Sequence, residues 1–296
     1  MLLLQEAESR PARPADKSPH TSGLIRANGI RQHYLDWGGK GEALLLLAGF
    51  GNNAHVFDEF APKFTDRFHV LGLTRRGFGK SDKPEAGYDT TIRVEDIRRF
   101  LDALKIKRVS LIGHSMAGDE LTLFATRYPQ RVRKLVYLDA AYNRTGVGQM
   151  ALTDPGIPPI WKRLELEAQD SPEAAKIVID KKEMPPPDVW AIRVAYVKAM
   201  NRYRPDYTKV KAPALAFYAM PEHYPEVPPE TDAATRRQWD EWHVKNIIPY
   251  TRRSIEQFQR EASHGKAILL KNATHYLFEG KTATQVIRQT REFLLK

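Results

Sequence analysis

The sequence predicts an α/β protein with a mostly parallel sheet and helices on both of its faces. Short apolar runs, typical of strands that are buried on both faces, recur along the 296 residues. Stretches with the apolar spacing of helices separate these runs, which favours parallel βαβ units. One run passes into a helical stretch through a tight glycine turn within residues 109–126, and this turn is the strongest indication of function.

The individual elements follow in order along the chain. A hairpin is predicted at residues 24–37, where Asn28-Gly29 supplies the turn. Further strands are predicted at residues 43–48, 68–73, 109–113, 132–138, 212–219 and 267–270. Helices are predicted at residues 54–64, 91–104, 119–126, 160–169, 172–181, 187–201, 231–263 and 282–295, with Pro249 as a candidate break in the longest one.

The alternation of strands and helices stops between residues 140 and 210. This stretch holds many prolines and several helical runs but no clear buried strand, so we expect a helical cap there. The cap would interrupt a core made of residues 23–139 and 211–296. Residues 1–22 are rich in Pro, Ser, Ala and charge, and they are predicted to form a flexible N-terminal arm.

Large aromatic side chains cluster in the expected cap, among them Trp161, Trp190 and Tyr196. Two interpretations of this cluster are open. The side chains either pack the small core of the insertion itself, or form an apolar pocket over a functional site.

The composition narrows the classes of function. No cysteine is present and none of the nine histidines shows a metal-binding spacing, so we expect neither a metal nor a thiol nucleophile. The net charge is +10, but the Lys and Arg residues are scattered among acidic residues and form no long basic run, which argues against a nucleic-acid partner. No apolar run approaches the length of a membrane span, so stable membrane insertion is not expected. We expect a cytoplasmic protein, or an extracytoplasmic one if the arm is the remnant of a trimmed leader.

The glycine turn at residues 113–118 has the character of a nucleophile elbow. Ser115 lies between an apolar strand and a helix, and a Ser on so sharp a turn requires small neighbours two residues away on each side. Gly113 and Ala117 meet this requirement. The turn lifts the hydroxyl clear of the sheet, and the helix points its N-terminal amides at negative charge that forms beside it.

Several motifs in order make the chain resemble the α/β-hydrolase superfamily over residues 22–296. The resemblance is closest to the capped branch of serine esterases, haloperoxidases and carbon–carbon bond hydrolases. It implies an eight-stranded, mostly parallel sheet with a helical cap insertion. The matching segments are Gly49-Phe50-Gly51, residues 76–81, the elbow at residues 113–118, residues 213–222, and Asn272-Ala273-Thr274-His275.

The resemblance also implies roles for individual residues. Ser115 would be the nucleophile, and His275, in a loop after the last strand, would be the general base. The backbone amides of Met116 and Phe50 would form the oxyanion hole. Substrate contacts would come from the side chains of Phe50, His114, Trp161, Trp190 and Tyr196.

Two carboxylates compete for the role of the acid that orients His275. Glu222 follows the strand after the cap, where similar hydrolases most often carry their acid, although Asp is commoner there. Asp139 ends the strand before the cap, a position that some relatives use. The sequence favours Glu222 and keeps Asp139 as the alternative.

Three positions depart from the pattern of the superfamily. Ala48 stands where a His usually precedes the first glycine loop, Thr74 replaces a usual Asp, and Ala117 replaces the second glycine of the elbow. None of these changes removes a catalytic atom. Ala48 does remove a side chain that often braces the oxyanion loop.

The expected function is cofactor-free hydrolysis of a small to medium apolar carboxylic ester. Because Ser stands at the elbow, the pattern argues against dehalogenases and epoxide hydrolases, whose similar families use Asp there. Two alternatives stay open: a cofactor-free perhydrolase or carbon–carbon bond hydrolase, and a ligand receptor on the same fold. The expected partner is a small-molecule ester, and the protein would be a monomer or a homodimer.

Overall fold

A computed structural model describes residues 18–224, 227, 228 and 230–296 of the chain. These residues form one eight-stranded sheet in the order β1-β2-β4-β3-β5-β6-β7-β8. Strands β3 to β8 run parallel to one another, whereas β2 pairs antiparallel with both β1 and β4. The strands are β1 (Thr21–Ala27), β2 (Ile30–Gly38), β3 (Glu42–Leu47), β4 (Phe68–Leu73), β5 (Val109–His114), β6 (Val132–Leu138), β7 (Ala214–Met220) and β8 (Gly265–Lys271).

Helices fill most of the segments between the strands. The α-helices are α1 (Thr90–Ala103), α2 (Ala117–Arg127), α3 (Val147–Leu152), α4 (Pro159–Ala168), α5 (Pro187–Arg202), α6 (Ala233–Glu261) and α7 (Ala283–Leu295). Short 3-10 helices span Ala54–Phe57, Ala61–Phe64, Pro129–Arg131, Pro172–Lys176, Tyr207–Lys209 and Gly280–Thr282. None of the helices in the described part of the chain has both the length and the hydropathy of a membrane span.

The sheet separates two hydrophobic cores, and the strand β3 contributes to both. Leu45 and Leu47 pack on one face with apolar residues of α1, α2 and α6. Leu44 and Leu46 pack on the other face with residues of α7 and of the first two 3-10 helices. Because successive side chains of a strand point to opposite faces, a continuous apolar run serves both layers at once. The α/β-hydrolase architecture predicted from the sequence is confirmed.

Two of the predicted helices are wrong in extent. The helix predicted at residues 54–64 is instead two 3-10 helices, since Pro62 lacks an amide proton and disfavours a helical Ala61. The helix predicted at residues 172–181 ends at Lys176. Three β-branched residues follow it, at positions 177–179, and such residues lose rotamer freedom in a helix.

Two further predictions concern Pro249 and the N-terminal arm. The helix α6 continues through Pro249, because buried Thr251, Ser254 and Phe258 hold its second half against the protein. Residues 1–17 of the predicted arm lie outside the described residues, and Thr21 already begins β1.

Candidate active site

The elbow between β5 and α2 holds Ser115 in a left-handed backbone conformation, with φ at 56°. The turn requires small neighbours, because a Cβ added to Gly113 would lie 2.9 Å from the Cβ of Ala117. A Cβ on Gly118 would lie 1.9 Å from the carbonyl oxygen of Ala140. A non-glycine residue at positive φ is strained, so the surrounding contacts must maintain this conformation.

Those contacts include a buried arginine that the sequence analysis missed. Nη2 of Arg144 donates to the carbonyl oxygen of Ser115 at 2.8 Å, and Nη1 donates to Oδ1 of Asp119 at 2.7 Å. The amide of Ser115 donates to the carbonyl of Leu138 at 3.1 Å. Arg144 thus joins the elbow to the first turn of α2. No local sequence signal marks it, because it lies in the irregular stretch after β6.

A buried pair of side chains lies beside the elbow. Nδ1 of His275 donates to Oδ2 of Asp139 at 2.7 Å, and both side chains are at most 1% exposed. The carbonyl of His275 accepts from Nε2 of His114, the residue before Ser115, at 3.1 Å. The other ring nitrogen of His275, Nε2, has no hydrogen-bond partner among the described residues. One nitrogen is therefore fixed by a carboxylate while the other is available to a reacting group.

The preference for Glu222 as the partner of His275 is corrected by this geometry. Glu222 is exposed in the loop after β7, and no hydrogen bond between it and His275 is found in the described part of the chain. Asp139 follows β6 directly, with φ at 48°, and its Oδ1 accepts from the amide of Ala219 at 2.9 Å and from the hydroxyl of Tyr142. The strand β7 therefore orients the carboxylate of Asp139 through the backbone amide of Ala219, whereas Asp139 itself follows β6.

Burial sets the protonation of this pair. Removal from water raises the pKa of Asp139 to about 6, against which hydrogen bonds from Tyr142 and Ala219 act. Burial lowers the pKa of His275 well below its usual value of 6.5. Near pH 7 the carboxylate is therefore mostly ionised and the imidazole is neutral. A neutral imidazole with Nδ1–H donated to a carboxylate has the form of a general base.

The glycine loop after β3 lies against the elbow. A Cβ added to Gly49 would lie 3.0 Å from the Cβ of Ser115 and 2.9 Å from Nδ1 of His114. The following residue is Phe50, and Met116 is the N-cap residue of α2. Within the described residues, neither the amide of Phe50 nor that of Met116 donates a hydrogen bond. Both amides are therefore available for an oxygen beside Ser115.

The loop that carries His275 is tied to this glycine loop. Nδ2 of Asn52 donates to the hydroxyl of Tyr276 at 2.8 Å. The ring of His114 packs beneath the same loop, with centroids 4.4 Å from His275 and 4.8 Å from Tyr276. His114 was predicted to contact substrate, but it lies in this packing between the elbow and the His275 loop.

Aromatic side chains of the insertion, the segment between β6 and β7, pack on Phe50. The ring centroid of Trp161 lies 6.0 Å from that of Phe50, and the centroid of Tyr196 lies 6.1 Å from it. Trp190 belongs to the same buried cluster, and its Nε1 donates to Glu167 at 2.7 Å. Met116 also belongs to this cluster. The three aromatic residues predicted in the insertion therefore share one buried cluster with Phe50 and Met116, the residues that were predicted to supply oxyanion amides.

No group of three or more His, Asp or Glu side chains in the described residues is arranged to hold a metal ion. Outside the elbow, the loop at residues 75–82 contains a second Gly-x-Gly sequence, at Gly77 and Gly79. Its two arginines form salt bridges with buried carboxylates: Arg75 pairs with Glu120, and Arg76 pairs with Asp96.

Comparison with known proteins agrees with this architecture. A family model described as the α/β hydrolase fold matches residues 42–176. The chain is 35% identical over 125 residues to N-formylmaleamate deformylase of Pseudomonas putida, covering 42% of this chain and 47% of that protein. It is 34% identical over 101 residues to 2-(acetamidomethylene)succinate hydrolase of Mesorhizobium japonicum, covering 34% of this chain and 36% of that protein. The matched region thus spans less than half the length of either relative.

Solved structures extend the likeness to nearly the whole chain. An epoxide hydrolase of Bacillus megaterium matches with a TM-score of 0.63 and 21% identity, covering 93% of this chain and 100% of that one. The chain therefore has the α/β-hydrolase fold that its motifs predicted. The capped esterase branch stays a prediction.

Proposed function

We propose that the protein is a serine hydrolase that cleaves small to medium apolar carboxylic esters. The observation that carries the proposal is the meeting of three strand ends. Ser115 follows β5 on a left-handed turn, and His275, after β8, donates to Asp139, after β6, at 2.7 Å. A nucleophile, a neutral base and a buried orienting acid are the groups that acyl transfer requires.

In the acylation half of the reaction, the Oγ of Ser115 attacks the acyl carbon. Nε2 of His275 takes the hydroxyl proton, and the carboxylate of Asp139 stabilises the resulting imidazolium. His275 then returns this proton to the leaving oxygen, so that the alcohol departs and an acyl ester remains on Ser115. In the second half, His275 deprotonates a water molecule that attacks the same carbon, and the acid leaves as Ser115 regains its proton.

The negative charge of each tetrahedral intermediate would lie between the amides of Phe50 and Met116. The second amide belongs to the N-terminus of α2, whose dipole adds to the attraction. Loss of one such donor typically costs about 3 kcal/mol of transition-state stabilisation. This stabilisation applies only when the charge has formed, so it raises kcat rather than ground-state binding.

The aromatic cluster around Phe50 supports an apolar acyl group. Burial of such a group among the rings of Trp161 and Tyr196 would stabilise the complex by about 25 cal/mol per Å² of apolar surface. Ser115 and His275 are only 3% and 2% exposed, so binding requires side chains of the insertion to move aside. On this proposal the insertion is a cap that sets substrate choice.

The names of the relatives suggest a second bond type. Two of them are named as a deformylase and an acetamidomethylene-succinate hydrolase, and an amide carbonyl reacts through the same steps as an ester. Epoxide opening, the activity named for several of the matched proteins, is less well supported. The superfamily resemblance gives those enzymes an Asp nucleophile, whereas this chain has Ser115 at that position.

The proposal is tested by Ser115→Ala with a panel of p-nitrophenyl esters from acetate to octanoate. We expect turnover to fall by at least about a thousandfold, because nucleophile removal leaves only the residual effects of binding and the oxyanion hole. Ser110→Ala is the matched control, since Ser110 is similarly buried on β5, the strand that precedes Ser115, and its variant should retain turnover. A fluorophosphonate probe should label the wild-type protein at Ser115 alone.

The same panel separates the alternatives. Retained turnover in Ser115→Ala, with an unchanged circular dichroism spectrum, excludes Ser115 as the nucleophile. Faster turnover of N-formyl or N-acetyl amides than of esters moves the proposal to the amide bond. Peracid formation from acetate and peroxide indicates a perhydrolase, and a wild-type protein that neither turns over nor labels favours a receptor.

A further inference from the structure

A second buried arginine lies behind the glycine loop. Nε and Nη2 of Arg75 donate to the carboxylate of Glu120, at 2.7 Å and 2.5 Å, while Nη1 donates to the carbonyl oxygen of Ala48. The same Nη1 lies 3.5 Å from the carbonyl oxygen of Gly49. The side chains of Arg75 and Glu120 are 4% and 1% exposed. One guanidinium therefore holds a carboxylate on one edge and loop carbonyls on the other.

The two ends of this contact are the two halves of the proposed oxyanion hole. Ala48 and Gly49 immediately precede Phe50, whose amide would be one donor. Glu120 lies in the first turn of α2, whose N-cap residue Met116 would supply the other donor. The planar fork of an arginine fixes both the distance and the orientation of the groups it joins.

We propose that Arg75, with Glu120, is a positioning pair that sets the spacing of the Phe50 and Met116 amides. This inference rests on the proposed serine hydrolase function. It also explains how the loop is held although Ala48 has no side chain able to brace it. Arg75 lies just after the end of β4, and its guanidinium holds the loop through the backbone carbonyls of Ala48 and Gly49.

The net charge of Arg75, Glu120 and the neighbouring Arg93 favours the same role. Arg93 also lies 3.2 Å from Glu120, so two guanidinium groups share one carboxylate. The three side chains carry one net positive charge, and each is at most 4% exposed. A fixed positive charge behind the loop stabilises an oxyanion in a site from which water is excluded. It has little effect on a neutral ester in the ground state.

The inference predicts that Arg75→Met lowers kcat for p-nitrophenyl butyrate by ~10- to 100-fold while KM changes less than about twofold. Affinity for a trifluoromethyl ketone with the same acyl chain should fall by a similar factor, because this inhibitor forms a tetrahedral oxyanion on Ser115. Affinity for the corresponding methyl ketone should change little. All rates are divided by the concentration of active sites, which is measured by titration with fluorophosphonate.

The matched control is Arg76→Met. Arg76 also forms a buried bidentate pair, with Asp96 at 2.6 Å, but its guanidinium does not contact the carbonyls of Ala48 or Gly49. We expect a comparable loss of thermal stability with kcat per titrated site within about threefold of wild type. Equal losses of kcat in both variants would mean that Arg75 is merely structural, and would overturn the inference.

Two further variants keep the test decisive if Arg75→Met does not fold. Glu120→Gln preserves shape while removing the charge that orients Arg75, and Arg75→Lys preserves the charge while removing the fork. In either variant, a trifluoromethyl ketone affinity that is unchanged relative to KM would overturn the inference. If the wild-type protein neither labels with fluorophosphonate nor cleaves esters, it is the proposed function that fails; active wild type with an unaffected Arg75 variant refutes only the positioning role.

Discussion

The carboxyl edge of the sheet and the insertion between β6 and β7 are held together in different ways. At the edge, polar side chains have specific partners: His275 donates to Asp139, Arg75 donates to Glu120, and Arg144, from the first residues of the insertion, donates to the carbonyl of Ser115. In the insertion, Trp161 and Tyr196 meet Phe50 through ring contacts at 6.0 Å and 6.1 Å. Directional contacts depend on single atoms, whereas ring packing depends mainly on volume and shape.

This difference predicts where substitutions have large effects. At the edge, exchange of one atom that keeps the shape should remove most of the activity. In the insertion, even a large change of side-chain volume should alter which substrate is preferred more than the rate itself. The experiments below probe this contrast from its strongest expected effect to its weakest.

The largest effect is expected for Asp139→Asn, which exchanges one carboxylate oxygen for an amide nitrogen. An amide beside Nδ1 no longer secures the tautomer of His275 and no longer stabilises its imidazolium. The same change in the serine-protease template lowers kcat by about 10⁴, and we expect a loss of at least about a thousandfold here. Single-turnover kinetics with p-nitrophenyl esters measure it directly.

Glu222→Gln is the matched control for this prediction. Glu222 is exposed in the loop after β7, so its variant should keep kcat within about twofold of wild type. The reverse order of effects, in variants with equal melting temperatures, would move the acid to Glu222 and would show that the loop after β7 rearranges when substrate binds.

An intermediate effect is expected from pH. The active form has Asp139 ionised and His275 neutral, and a single added proton inactivates the pair. Because burial raises the pKa of Asp139 to about 6 and lowers that of His275, kcat/KM should be level from pH 8 to about 6.5. Below about pH 6 it should fall tenfold per unit.

The pH profile is measured with circular dichroism at each point, so that acid unfolding is not mistaken for titration. An acid limb centred above pH 7 would contradict the prediction. It would mean that attraction to the Asp139 carboxylate outweighs burial and raises the pKa of His275.

The positions that the sequence predicts well are those fixed by local pattern. Ser115 follows an apolar strand directly and His275 lies in the short loop after the last strand, and parallel strands bring such ends to one edge. The choice between Asp139 and Glu222 could not be made in the same way, because both follow neighbouring strands. It depends on the amide of Ala219, which orients Asp139 across 80 residues of sequence.

The two supporting arginines show a further limit of local pattern. Arg75 and Arg144 donate to the backbone carbonyls of Ala48 and Ser115. Because every residue has a backbone carbonyl, the amino-acid sequence does not indicate which carbonyl an arginine will contact. In each case the only sequence signal is an unmatched acidic residue, Glu120 or Asp119, in the first turn of α2. Acidic residues there are equally expected as a response to the helix dipole, so the signal is not specific.

The smallest effect is expected in the insertion, from Trp161→Leu. Trp161 is 3% exposed and packs on Phe50, so a smaller side chain leaves space beside the oxyanion loop. Each further methylene of a substrate that fills this space gains about 0.8 kcal/mol, or about fourfold in kcat/KM. We therefore expect the ratio of kcat/KM for octanoate to that for acetate to rise severalfold, while kcat for the best ester stays within about threefold of wild type.

Two variants sharpen this last prediction. Trp190→Leu removes a tryptophan of the same cluster whose Nε1 is bonded to Glu167, and it should shift the ratio less than Trp161→Leu, because we find no ring contact between Trp190 and Phe50 in the described residues. Trp37→Leu removes an equally buried tryptophan on β2, outside the cluster, and should lower stability without shifting the ratio. If all three variants leave the chain-length profile unchanged, the aromatic residues of the insertion only pack its own core. The contrast between edge and insertion would then be one of stability alone, and substrate choice would have to be sought at the edge itself.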